Sequence, residues 1–214
     1  MKKQYHLEKL IAEKFLRLKA FYVQTENPFT WANGWQTPLF FDDRKLLSYT
    51  YARNLLKLEM GGLVAEQFPD VDVISGIAVN SIASGLLVAE QLNMPYIYIF
   101  PTPKTHGLEN QVEGDLRPRQ KVVLILNQIH EGNDALSAID VVRNNACVPQ
   151  AVITIFDLQL PIAKQKLKKT GVPVYSLTTF TDVMQVAKEN KLFTDKEIEK
   201  LEQWHKDPYK WNNK

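Results

Sequence analysis

The chain has 214 residues, 45% of them apolar and 23% charged, a balance that suits a folded globular protein and excludes a disordered one. Twenty-six basic and 24 acidic residues are interspersed rather than blocked, so neither a nucleic-acid partner nor a membrane surface is expected. Cys147 is the sole cysteine, which excludes an internal disulfide; no apolar run is long enough to span a bilayer, and the opening MKKQYHLEKLIAEKF is not a signal peptide, so a cytoplasmic location is expected.

Leu7, Leu10, Ile11, Phe15 and Leu18 recur at helical spacing and predict an amphipathic opening helix from about Leu7 to Ala20. The text FTWANGWQTPLFF, Phe29 to Phe41, places strand-favouring residues on both sides of Asn33-Gly34, a dipeptide suited to a tight hairpin. Asp42, Asp43 and Arg44 follow it, read as a solvated turn with a local ion pair or, less simply, a charged site. Tyr49 to Phe68 is helical in pattern, with Gly61 and Gly62 weakening it or ending it early.

From there strands and helices alternate: VDVISGIA, SIASGLLVAEQL, PYIYIF, KVVLILN, DALSAIDVVRNN, PQAVITIF, IAKQKLKK and VPVYSLT. Near-continuous apolar strands separated by helices predict a parallel sheet covered on both faces, an α/β fold in one domain. Pro101 to Gln120 interrupts the rhythm with an excursion too long for an ordinary connection. Beyond Phe193, Thr194 and Glu197 form a capping-box pattern before a charged helix.

Open parallel sheets bind ligands at the carboxyl ends of their strands, here the loops Ile77 to Gly85, Phe100 to Gly114 and Asn127 to Leu136. The last opens a helix, an arrangement that can hold a phosphate on backbone amides, with Gly132 allowing close approach. Against this, Glu131 and Asp134 flank the glycine, and unit charges about 5 Å apart at an effective dielectric near 20 repel by roughly 3 kcal/mol. Asp134 also reads as the N-cap of the following helix, whereas Glu131 has no comparably simple structural reading. Lys104 and His106 beside Gly107 are a cation and a titratable ring suited to stabilising a departing phosphate, and equally compatible with idle solvated side chains. His6, His106, His130 and His205 are scattered and no metal-ligand spacing occurs, so no protein metal site is expected.

The segments NPFTWANGWQTPLFFDDR, VISGIAVNSIASGLLVAEQLNMPYIYI, PKTHGLENQVEG and QWHKDPYKWN resemble the bacterial orotate phosphoribosyltransferases, and the likeness runs through nearly the whole chain. The resemblance implies a type I phosphoribosyltransferase fold, with a hood from about residues 1–47 plus the C-terminal tail and a core from about 48–190. It implies transfer of ribose 5-phosphate from phosphoribosyl pyrophosphate to orotate, with magnesium, in a homodimer whose mobile loop reaches the neighbour's site. Lys104, His106, Gly107 and Glu113-Gly114 match the family's loop, with Phe100 where that pattern begins with arginine. In the family's main signature two acidic residues follow an apolar strand and support charge on the sugar; this chain has Leu126 and Asn127 there. The phosphate loop after them reads His130, Glu131, Gly132, Asn133, Asp134 and Ala135, and the pyrophosphate loop carries Val79-Asn80, followed by Ser81, where the family has Thr-Gly.

Ligand contacts are accordingly expected at Asn33, Phe40, Val79, Asn80, Ser81, Asn127, His130, Glu131, Gly132, Asn133 and Asp134, and catalysis, where retained, at Lys104 and His106. The leading expectation is a homologue with little or no transfer activity that acts as a binding or regulatory dimer, taking a small phosphorylated nucleotide-like ligand. The alternative is an active, magnesium-dependent orotate phosphoribosyltransferase of pyrimidine biosynthesis. A third reading makes His130 and Glu131 an acid/base pair on another nucleotide-like substrate.

Overall fold

A computed structural model of the chain describes residues 2–31, 34–102 and 110–211, with side chains from residue 7 onward. These fall into two compact units, residues 1–49 with 178–214, and residues 50–177.

The first unit opens with helix α1, Lys2–Arg17, whose Ile11, Ala12 and Phe15 are fully buried. It stops short of Ala20 because Lys19 turns to positive φ and the Ala20 N–H closes back on the Phe15 carbonyl at 3.0 Å. Strand β1, Phe21–Val23, pairs antiparallel with β4, Leu39–Phe41, so that Phe21 and Phe41 stack at 4.6 Å and Phe15 joins at 5.5 Å. Strands β2, Phe29–Thr30, and β3, Gln36–Thr37, form the expected hairpin, whereas Leu39 to Phe41 leave it to pair with β1. Arg44 pairs with Asp42 at 3.1 Å, as expected of a local turn, but Asp43 is buried rather than solvated.

Helix α6, Phe180–Glu189, packs on α1 and is tied to it by Lys9 and Glu189 at 3.0 Å. The Thr194–Glu197 capping box holds the start of α7, Asp195–Lys206, which buries Trp204 completely. The Trp204 ring N–H donates to the Gln36 carbonyl at 3.3 Å, fixing helix to hairpin, and α8, Pro208–Trp211, ends the unit with Tyr209 edge-on to Trp35.

In the second unit α2, Thr50–Gln67, runs unbroken through Gly61 and Gly62, contrary to the expected break. A Cβ at Gly61 would meet the Gln91 side chain at 3.0 Å, so close packing on its neighbour accounts for that glycine and tertiary contact overrides its weak propensity. The sheet runs in the order β10, Val174–Thr179; β9, Val148–Asp157; β8, Lys121–Ile129; β5, Val73–Ile77; β6, Tyr96–Ile99; β7, Val112–Glu113. The pairs β5–β6, β5–β8 and β8–β9 are parallel, and the short β7, inside the long excursion, pairs antiparallel with β6. Helices α3, Ile82–Leu92, α4, Asn133–Asn144, and α5, Pro161–Thr170, connect the strands. Val122 to Ile125 are fully buried, as a central parallel strand requires.

The turn from β5 into α3 depends on close backbone approach. A Cβ at Gly85 would lie 2.8 Å from the Gly76 Cα and 3.0 Å from the Tyr96 ring, whose hydroxyl donates to the Ile82 carbonyl at 2.7 Å. Gly85→Ala should therefore lower the free energy of unfolding in urea by about 1–3 kcal/mol; an unchanged midpoint would show that helix and strand are not held this closely.

Candidate functional site

Beyond Ile125, the last β8 residue paired with β5, the backbone of β8 needs new partners as it leaves the sheet centre. The Asn127 N–H finds one in the Ser81 hydroxyl at 2.8 Å, and the Asn127 side-chain amide donates to the Asn80 carbonyl at 2.9 Å. Ser81 stands at the N-cap of α3 without capping it, because its hydroxyl is turned to Asn127 instead. The two loops carrying Val79, Asn80, Ser81 and Asn127 are thus joined, with Ser81 and Asn127 both buried. Val79 follows a cis peptide from Ala78 and is 71% exposed at the tip of its loop.

The third loop is tied in through α4: Ser137 donates to the Pro101 carbonyl at 2.5 Å. Its base is closed by the Phe100 N–H donating to the Gln111 carbonyl at 2.8 Å and by the Gln111 side chain reaching back to the Phe100 and Pro101 carbonyls. Ser137 and Gln111 were not picked out by motif reasoning, since a serine inside a helix and a glutamine in a polar loop carry no spacing signal. Lys104 and His106, the expected catalytic pair, and Asn33 lie outside the described residues. Phe40 belongs to the first unit, where it pairs with Tyr22 across β1 and lies 5.5 Å from the Phe29 ring.

Leu126 is buried in the apolar cluster with Ile77, Ile99, Ile129, Ala135 and Ile139, so that position is part of the core. In the turn that follows, His130 has a ring nitrogen 2.7 Å from the Gln128 side-chain oxygen, and burial brings its pKa down to about 4. The imidazole is neutral near pH 7 and adds no positive charge to the turn. Glu131 and Asp134 are the carboxylates beside it, and desolvation raises Asp134 above the usual carboxylate range although part of its surface is open. Asp157, at the end of β9, is raised in the same way, with the Gln159 N–H at 2.7 Å opposing the shift.

One expectation for this turn is corrected. Asp134 is not the N-cap of α4: Gly132 occupies that position at φ +79°, with no side-chain cap, and Asp134 sits in the first turn, where its charge complements the helix dipole. On its Cβ side Gly132 packs on α5, where Leu167 and Ala163 lie about 3.5 Å from where a Cβ would be. Lys166 of the same helix donates to the Asn133 side-chain oxygen at 2.6 Å, placing a cation at the turn that motif reading did not find.

Magnesium, which the resemblance implies, usually rests on one or two carboxylates, water and substrate phosphates. Among the described residues no cluster of three histidine, cysteine or acidic side chains could hold a metal ion, and the end of β8 offers a leucine and an amide. The residues present do not fit a protein-held metal, and no step is derived through one.

No family model matches the chain. It is 41% identical over 207 residues to the orotate phosphoribosyltransferase of Bacteroides thetaiotaomicron, covering 97% of this chain and 98% of that one. It is 40% identical over 205 residues to the enzyme of that name from Porphyromonas gingivalis, covering 96% and 98%. Among solved structures, orotate phosphoribosyltransferase from Aeropyrum pernix superposes with a TM-score of 0.70 at 19% identity, covering 85% of this chain and 99% of that one. UMP synthase from Leishmania donovani gives 0.77 at 18% identity, covering 92% of this chain and 42% of that one. At such identities the solved structures establish the fold, which is that of the type I phosphoribosyltransferases. With two curated relatives at 40% identity or above along nearly its full length, the chain belongs to the orotate phosphoribosyltransferase family.

Proposed function

We propose that this chain transfers ribose 5-phosphate from phosphoribosyl pyrophosphate to orotate, giving orotidine 5'-phosphate and pyrophosphate, at a rate held down by the missing carboxylates at the end of β8. The observation that carries this reading is the 41% identity spanning 97% of the chain. The three joined strand-end loops supply the frame for a phosphorylated sugar: Val79, Asn80 and Ser81 on one side, and Asn127 with the turn from His130 to Asp134 on the other. Lys104 and His106 take the role of stabilising the departing pyrophosphate. Asn127 offers a neutral amide where a carboxylate would support the positive charge that develops on the sugar. Losing one such electrostatic contact typically lowers turnover by about 10²–10³. Magnesium enters as the companion of the donor's phosphates, and the cytoplasm as the location.

A second reading rests on Leu126, which belongs to the apolar core at a position where the resemblance implies a carboxylate. On that reading the chain binds a phosphorylated nucleotide-like ligand without turnover and acts as a regulatory dimer. Calorimetric titration with phosphoribosyl pyrophosphate and magnesium, beside a spectrophotometric assay of orotate consumption, separates the two. Donor binding with slow, protein-dependent orotate loss supports transfer; donor binding without any loss supports the regulatory reading, and the absence of both overturns the two together.

His130 gives a second test, with a definite sign. Its folded pKa of about 4 lies below the ordinary 6.5, so the unfolded chain takes up the proton first. Stability is therefore intact above about pH 6.5 and lost as pH falls toward 4, by about 1.4 kcal/mol per pH unit and about 3 kcal/mol in all. The raised Asp134 and Asp157 act in the opposite sense, so the wild type is best compared with His130→Asn. Urea unfolding across this window should show a steeper acid loss for the wild type; parallel curves would mean that folding does not lower the His130 pKa.

A further inference from the structure

A serine inside a helix ordinarily turns its hydroxyl to water or to the carbonyl one turn back. Ser137, in the second turn of α4, reaches elsewhere: its hydroxyl donates at 2.5 Å to the carbonyl of Pro101, 36 residues away in the chain.

Pro101 is where the long excursion leaves the sheet. Strands β6 and β7 pair through Tyr98 with Glu113 and Ile99 with Val112, and the Phe100 N–H adds a last rung to the Gln111 carbonyl at 2.8 Å. Pro101 has no N–H with which to extend that ladder. Its carbonyl takes the Ser137 hydroxyl and, at 3.5 Å, the Gln111 side-chain amide, which also lies 3.4 Å from the Phe100 carbonyl. The Ser137 bond is the shorter and the stronger of the two.

The helix that makes this bond begins in the turn after β8. Asn133 is the first residue of α4, and Ser137 stands one turn further along on the same face. The turn and Pro101 are therefore held at a set separation by one short helix. Lys104, to which the proposed transfer gives the departing pyrophosphate, follows Pro101 in the same excursion. We infer that Ser137 is a positioning residue, which acts through the Pro101 carbonyl to set where the excursion starts relative to the turn from His130 to Asp134. It touches no reacting atom, and the inference rests on the transfer reading for the roles of that turn and of Lys104.

Calorimetric titration with pyrophosphate and magnesium, beside steady-state orotate consumption, tests it on the wild type, Ser137→Ala and Ser137→Thr. Alanine is the better helix former, so Ser137→Ala should keep the circular dichroism of the wild type. It should bind pyrophosphate at least about threefold more weakly. Its kcat should fall about tenfold with KM for orotate unchanged, because a misplaced start of the excursion costs alignment rather than acceptor binding. Ser137→Thr keeps the hydroxyl and should restore both quantities, which a role in packing alone would not produce. A wild type that binds pyrophosphate but consumes no orotate overturns the transfer reading, while weaker pyrophosphate binding by Ser137→Ala still supports the role of Ser137. Equal pyrophosphate binding by the wild type and Ser137→Ala overturns the inference, as does a loss that Ser137→Thr fails to restore or a wild type that binds no pyrophosphate.

Discussion

The site is governed by a conflict within one strand. β8 lies at the centre of a parallel sheet covered on both faces, which demands apolar side chains along its length, yet its carboxyl end is where a family member must place its chemistry. In this chain the apolar requirement extends to Leu126. Leu126 joins the core, and Asn127, buried but polar, has its backbone and side-chain N–H groups taken up by the neighbouring loop through Ser81 and Asn80. Those two hydrogen bonds align the strand end with the loop after β5.

The turn after β8 shows the same economy. Gly132 adopts positive φ to start α4 and is packed on α5, Asp134 complements the helix dipole from the first turn, and Lys166 ties α5 to Asn133. Each of these contacts is made within the protein, so the turn is stable without a bound phosphate. A phosphate arriving at it meets Lys166 as a cation, a neutral His130 and two carboxylates.

Much of the fold was legible in the sequence because its signals were redundant. Apolar runs such as VVLIL, separated by helical periods, specify a parallel sheet however the ends are drawn, and Thr194 with Glu197 specifies a helix start by hydrogen-bonding chemistry alone. What was misread depended on contacts between distant residues. Gly61 and Gly62 looked like a helix end until Gln91 was seen packed on the first of them, and Asp134 looked like a cap until Gly132 took that position. Of the site, the three converging loops were legible from strand order. Ser137, Gln111 and Lys166 were not, because nothing in their spacing shows which carbonyl or amide each will reach. β1 was also missed, three residues being too short for a periodic signal.

The central claim is that the missing charge at the end of β8 limits the chemical step. It is tested most directly by single-turnover conversion of labelled orotate with excess protein and saturating donor, comparing the wild type with Leu126→Glu/Asn127→Asp. Restored carboxylates should raise the single-turnover rate by at least about tenfold. A wild type that converts orotate as fast as the folded variant would contradict the account.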